Sequence, residues 1–155
     1  MAVQEQNNLK TVQIYTDGAC SGNPGMGGWG AVLLHGNKKK EISGGKDVTT
    51  NNQMELTAVI EGLKALKKQC KVEIYSDSAY VINAFEQNWI ENWQKNNWKN
   101  SQKKDVLNKE LWQELYSLVN FHKVSFHKVK GHSGNFYNER CDELATAYYK
   151  NKTTQ

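Results

Sequence analysis

From Leu9 to Asp17 apolar and polar side chains alternate, Val12 and Ile14 on one face and Gln13 and Tyr15 on the other, which is the period of a half-buried strand. "GGWGAVLLHG" and "KKEISGGK" read as a second and a third strand, with glycines and a Gly-Asn pair marking the turns, so the chain opens with a three-stranded meander. In "TTNNQMELTAVIEGLKALKKQ" the period changes: Glu55, Val59, Gly62, Leu63 and Leu66 recur at helical spacing, with N-cap candidates from Thr49 to Asn52. "KVEIYSD" predicts a fourth strand and "SAYVINAFEQ" a helix. "NKELWQELYSLVN" predicts a helix with Leu111, Leu115 and Leu118 on one face, "HKVSFHKV" a fifth strand, and "NERCDELATAYYK" a last helix with Cys141, Leu144, Ala145 and Tyr148 in register. Strands clustered early, then strand alternating with helix, predict an α/β fold: a five-stranded mixed sheet flanked by helices.

Two of these strands echo each other. "VQIYTDG" (12–18) and "VEIYSDS" (72–78) both run through alternating Val and Ile to an aspartate, Asp17 and Asp77, at the carboxyl end. In open α/β sheets ligands bind at that edge. The residues that follow, "GACSGNPG" and "SAYVINAF", diverge at once, so the echo is one physical solution used twice and not a duplicated unit. Side by side, such strands would bring Asp17 and Asp77 together.

Two further acids sit on apolar helix faces, Glu55 in the stripe of Val59 and Leu66, and Asp142 three and seven residues before Ala145 and Tyr149. Buried carboxylates need partners, and the sequence holds a single arginine, Arg140, to share among them. Each acid could be satisfied separately by a lysine or by backbone N–H groups. Four converging within ~5 Å would instead repel by some kcal/mol, a repulsion that hard divalent cations relieve. An all-oxygen donor set points to Mg²⁺ or Mn²⁺ and away from zinc, and two such ions ~3.5–4 Å apart form a phosphodiester-cleaving device.

Length and composition set the frame for this chemistry. The 155 residues, 38% hydrophobic and 23% charged, match one globular domain spanning 1–155, with 1–8 and 151–155 read as flexible tails. No apolar run approaches the ~20 residues of a membrane helix, and no export or organelle signal is readable at the N-terminus, so a cytoplasmic location is expected. Cys20, Cys70 and Cys141 are widely spaced without a C-x-x-C pair, which predicts neither a disulfide framework nor a zinc site. The formal charge of +4 is concentrated: Lys95, Lys99, Lys103, Lys104 and Lys109 face only Asp105 between Gln94 and Lys109. Such a segment is either a solvated face or an electrostatic footprint for a polyanion.

Four motifs in order, "YTDGACSGNPGMGGWG", "TTNNQMELTA", "YSDSAYV" and "VKGHSGNFYNERCDELA", resemble the type 1 ribonucleases H (ribonuclease HI), and the resemblance covers nearly the whole chain after about residue 9. It implies a ribonuclease H-like fold and a Mg²⁺-dependent endonuclease that cuts the RNA strand of RNA/DNA hybrids, as in removal of primers and R-loops. By that resemblance Asp17, Glu55, Asp77 and Asp142 are the metal-binding carboxylates, holding two Mg²⁺ (or Mn²⁺) with substrate, and cleavage leaves a 5′-phosphate and a 3′-hydroxyl. His132, in "KGHSG", matches the family histidine that shuttles protons or helps product leave.

The resemblance also implies a substrate groove. Gly18, Cys20, Asn23, Asn51 and Asn52 would line it and read the RNA 2′-hydroxyl, for which asparagine, donor and acceptor at once, is suited. Asn51 and Asn52 could equally cap a helix. "NWIENWQKNNWKNSQKK" resembles the basic protrusion of the bacterial enzymes; by that resemblance Trp89 would pack on a DNA sugar, Thr50, Ser101 and Asn108 would hold DNA phosphates, and Lys95, Lys99, Lys103 and Lys104 would add salt-sensitive affinity, while Trp93 and Trp98, by their spacing, read as aromatic packing that stiffens a helical arm. Val48 departs from relatives that place an arginine there, and Ala79 from those with a longer polar side chain, which bears on DNA grip and not on chemistry. No separate hybrid-binding domain fits in residues 1–10, and a monomer without obligatory protein partner and without membrane contact is expected. Two other readings compete: a DNA nuclease of the integrase or resolvase kind on the same fold, and a metal-independent nucleic-acid-binding module using the lysine and tryptophan segment.

Overall fold

The computed structural model describes residues 9–130 and 135–153, with side chains through Lys150. Five strands and five helices follow in the order β1 (Thr11–Cys20), β2 (Gly25–His35), β3 (Lys38–Thr49), α1 (Asn51–Lys64), β4 (Lys71–Ser76), α2 (Ala79–Glu86), α3 (Trp89–Lys95), α4 (Lys109–Phe121), β5 (Lys123–Lys128) and α5 (Phe136–Thr153). The sheet is mixed, ordered β3-β2-β1-β4-β5. The meander β1-β2-β3 is antiparallel, whereas β4 and β5 join it in parallel.

Strand alternation decides which helix covers which face. Val12, Ile14, Ala31, Leu33, Val72 and Ile74 form one core with Leu56, Val59, Ile60 and Leu63 of α1. On the opposite face Gly28 and Gly30 of β2 let α5 come down onto the sheet: a Cβ at either position would overlap α5 backbone carbonyls at Ala145 or Cys141. The fully buried Trp112 and Leu115 carry the inner face of α4. The predicted Leu111 and Leu118 are only half-buried, because Trp112, one position round the helix, takes the centre of that contact. Among the described residues no helix is long and apolar enough to cross a membrane. Cys20, Cys70 and Cys141 are free thiols.

The segment predicted as a helical arm is a short helix followed by irregular backbone. α3 ends at Lys95, and Asn88, Asn97, Trp98, Lys103 and Asn108, all with positive φ, are the described non-glycine residues in the left-handed region. Such conformations cost free energy and persist only where surrounding contacts hold them. At Trp98 the holding contact is aromatic, its ring packed on Trp93, which in turn packs on Trp89 and the buried Trp112; at Asn108 it is the side-chain amide, bonded to Gln53 and Tyr80.

Candidate active site

Parallel pairing sets Val12 opposite Val72, Ile14 opposite Ile74 and Tyr15 opposite Tyr75, so the two echoing stretches lie in register across the β1–β4 ladder. Asp17 and Asp77 follow at the same edge, and Glu55 arrives from the second turn of α1. Carboxylate oxygens of Asp17, Glu55 and Asp77 all lie within 4.8 Å of one another. Asp142, expected as a fourth equal member, is not in that tight set. It comes from α5, lines the same cavity of about 440 Å³, and acts on Asp17 through its charge.

Gly18 makes this approach possible. A Cβ there would sit inside the backbone of Met54 and Glu55, so only glycine lets the end of β1 touch α1. Its N–H donates to Glu55 Oε1 at 2.6 Å and to Asp17 Oδ1 at 3.0 Å, joining the two carboxylates through one backbone donor.

Crowding of like charge in a dry place has the expected consequence. Asp17 is 6% exposed, and burial, then the charges of Asp77 and Asp142, push its pKa up from 3.8 to about 7 against the pull of hydrogen bonds from Glu55 and Gly18. Glu55 is also raised well above its ordinary value, by burial first and the neighbouring Asp17 second. The arginine that was to be shared among these acids is committed elsewhere: Arg140 makes a two-pronged contact with Glu41 at 2.8 and 2.9 Å and meets Glu143 at 3.7 Å. An all-carboxylate nest in which burial and like charge favour the protonated forms of Asp17 and Glu55 fits a hard divalent cation, which replaces such protons and accepts oxygen donors alone.

Of the predicted groove residues, Gly18, Asn51 and Asn52 line the acidic cavity, together with Tyr80 of α2, which sequence reading missed although it stands three residues after Asp77. Thr50 proves to be the cap of α1, its Oγ1 accepting from Gln53 N–H at 3.2 Å, so Asn51 and Asn52 are helical residues whose side chains are not spent on capping. Cys20 and Asn23 build the wall behind. The Cys20 thiol donates to the Thr49 and Gly25 carbonyls, and Asn23 Oδ1 accepts the Asn51 N–H at 3.1 Å. His132 lies outside the described residues.

The lysine segment is less uniformly positive than its sequence. Lys99 and Lys109 both pair with Asp105, whereas Lys95, Lys103 and Lys104 are exposed. Ser101, with Trp93, Lys99 and Lys103, lines a separate cavity of about 570 Å³ on the arm. Trp89 is half-buried, set edge-on to Tyr80, with its indole N–H donated to Gln87. Asn108, predicted beside a phosphate, has its side-chain amide held by Gln53 and Tyr80.

A mixed five-stranded sheet, antiparallel meander first, with a nest of carboxylates at the carboxyl edge of its paired central strands, defines a nuclease of ribonuclease H-like fold. The family model described as RNase H matches residues 9–150, and the chain belongs to that family. It is 62% identical over 149 residues to the ribonuclease H of Thermoanaerobacter sp. (strain X514), covering 96% of each chain. It is 61% identical over 138 residues to that of Acetivibrio thermocellus, covering 89% of this chain and 94% of the relative. Among solved structures it is similar to LC9-RNase H1, a type 1 RNase H with the type 2 active-site motif, at 30% identity and a TM-score of 0.82, over 92% of this chain and 74% of that one. LC11-RNase H1, solved in complex with an RNA/DNA hybrid, shares the fold at 23% identity and a TM-score of 0.71, over 92% of this chain and 99% of its own.

Proposed function

We propose that this ribonuclease H cuts the RNA strand of RNA/DNA hybrids internally, with Asp17, Glu55, Asp77 and Asp142 holding divalent cations, Mg²⁺ in the first place. The observation that carries the reading is the meeting within 4.8 Å of three carboxylates, from β1, from α1 and from the residue that follows β4, with Asp142 lining the same cavity. Bound there, a pair of Mg²⁺ ions would ready a water for attack and neutralise charge on the scissile phosphate and the departing 3′ oxygen, leaving a 5′-phosphate and a 3′-hydroxyl.

The chain's own residues supply position and selection. Gly18 N–H fixes the Asp17 and Glu55 oxygens relative to one another before any ion arrives, which lowers the cost of assembling the site. Asn51 and Asn52, freed from capping by Thr50, present amides that both donate and accept, as reading a 2′-hydroxyl requires. Cys20 and Asn23 hold that wall in place. Thr50 and Asn108 grip a phosphate of the DNA strand, with Trp89 against a sugar. Ser101 and the exposed Lys95, Lys103 and Lys104 add backbone contacts that carry no sequence information. His132, by its place in "KGHSG", moves a proton or speeds product departure.

The test is cleavage of end-labelled RNA/DNA hybrid beside duplex RNA, duplex DNA and single-stranded RNA in Mg²⁺, with Asp17→Asn as control. Loss of the hybrid's RNA strand alone is the expected result. Cleavage of DNA would overturn the substrate assignment, and hybrid binding in EDTA without any cleavage in Mg²⁺ or Mn²⁺ would make the chain a binding module.

A further inference from the structure

A chain of side-chain hydrogen bonds crosses the groove beside the acidic cavity, joining parts of the sequence 55 residues apart. Thr49 Oγ1 donates to Gln53 Oε1 at 2.7 Å, Gln53 Nε2 donates to Asn108 Oδ1 at 3.2 Å, and Asn108 Nδ2 donates to Tyr80 Oη at 3.1 Å. Tyr80 Oη also accepts from Trp112 Nε1 at 2.9 Å, which anchors the far end in the core. The chain thus ties the end of β3 and the first turn of α1 to the junction where the lysine segment runs into α4.

Asn108 is spent unusually in this arrangement. It stands at the N-cap of α4, where an asparagine ordinarily turns its side chain onto the helix backbone. Here it takes φ 61° and makes no cap bond, and its amide is directed at Gln53 and Tyr80 instead. Asn88 at the N-cap of α3 has the same backbone and also makes no side-chain cap bond, so what sets Asn108 apart is the pair of hydrogen bonds its amide makes to Gln53 and Tyr80. Gln53 is the element that reaches it. The Gln53 backbone N–H also donates to Thr50 Oγ1, so a single residue contacts both Thr50 and Asn108.

We propose that Gln53 is a positioning residue that sets the separation of Thr50 and Asn108 across the groove, so that both meet one phosphate of the uncut DNA strand. Its side-chain hydrogen bonds go to Thr49 and Asn108 and not to the carboxylates, so its effect should fall on substrate binding and leave the chemical step alone. The inference rests on the reading of Thr50 and Asn108 as phosphate contacts given above. Val48 and Leu107, the residues before Thr49 and Asn108 in sequence, are 74% and 73% exposed and carry no charge, and the cation that follows Asn108, Lys109, is already paired with Asp105 at 3.7 Å.

Steady-state cleavage of an RNA/DNA hybrid by Gln53→Met, Asn108→Ala and the double variant decides it. Gln53→Met keeps length and removes both hydrogen bonds. It should raise KM roughly 3- to 10-fold, the range one or two hydrogen bonds supply, with kcat within about twofold. Asn108→Ala should raise KM at least as much, and the double variant no further than Asn108→Ala alone, because Gln53 acts through Asn108. Thr49→Val, which frees only the outer end of Gln53, should shift KM in the same direction by less. If Asn108→Ala leaves KM unchanged, the phosphate reading falls and this inference with it. If Asn108→Ala raises KM but Gln53→Met does not, or if their effects multiply, or if Gln53→Met lowers kcat at constant KM, the phosphate reading stands and Gln53 is not the positioning residue.

Discussion

Tyr15 and Tyr75 face each other across the β1–β4 ladder with their rings stacked, centroids 4.6 Å apart, and two residues beyond each stands an aspartate of the acidic cavity. The stack continues to His127 of β5 at 4.9 Å. Cross-strand pairs of this kind fix register, and a slip of one residue would separate Asp17 from Asp77. The repeated "IY-x-D" pattern therefore aligns two strands so that two like charges are held close, an arrangement the fold alone would not choose.

Asp17→Asn removes one of those charges. Cleavage of hybrid should fall to background, while the metal-free protein should melt at the same temperature or several degrees higher, since the variant no longer buries a carboxylate beside Glu55 and Asp77. A thermal melt in EDTA checks it. A clear drop in Tm would mean that these acids stabilise the fold and do not strain it.

The same crowding gives the metal-free protein a pH dependence of defined sign. Asp17 holds its proton up to about pH 7 when folded, against 3.8 ordinarily, so the folded state binds more protons and stability is lost as pH rises from about 4 through about 7. On the acid side His122 acts the other way. It is buried, accepts the Cys70 N–H at Nδ1 and has its pKa lowered by burial, so its contribution is lost as pH falls below its ordinary 6.5 through its folded value. In EDTA, Tm should decline by roughly 5 °C or more between pH 5 and pH 8. Millimolar Mg²⁺ should reverse much of that decline at pH 8 and little at pH 5, where protons compete for the same oxygens. A Tm that rises toward pH 8 without metal would contradict the assignment of Asp17.

Gly18→Ala tests the contact that brings Glu55 to Asp17. The added methyl meets backbone atoms of Met54 and Glu55, which cannot move aside as a side chain could. We expect a loss of roughly 2–3 kcal/mol in urea unfolding and, in the folded fraction, a fall in kcat on the order of 100-fold from displacement of Glu55. Unchanged stability would show that β1 and α1 lie further apart than described.

Local pattern carried most of this architecture. Alternation at Val12 and Ile14, the stripe through Glu55 and Val59, and the echo ending on Asp17 and Asp77 are short-range signals, and each element they predict is present. What escaped depends on contacts between distant residues. Nothing near Gln53 announces Asn108, and nothing near Asn108 announces Tyr80, because each bond closes only after α1, α2 and α4 have packed. Trp98 reads as one more helical aromatic, but its left-handed backbone is imposed by packing on Trp93 and by its N–H bond to the Trp93 carbonyl. The charge count of the arm already sets Asp105 against five lysines, but it does not reveal which of them that acid engages: Lys99 and Lys109 both pair with it.

That last point sharpens the prediction for the arm. If the segment grips a nucleic-acid backbone, KM for the hybrid rises with salt, and each lysine–phosphate contact contributes a slope of about 0.9 in log KM against log salt concentration. Replacing the exposed Lys103 and Lys104 with glutamine should flatten that slope by roughly 1 to 2 and raise KM at low salt, with kcat unaffected. Lys95→Gln should act in the same direction. Lys99→Gln should do less, because Lys99 already spends its charge on Asp105, and Asp105→Asn should steepen the slope by releasing Lys99 and Lys109. A slope that ignores Lys103 and Lys104 would make the arm a solvated face, and a larger effect at Lys99 than at Lys103 would mean that the Asp105 pair opens when the hybrid binds.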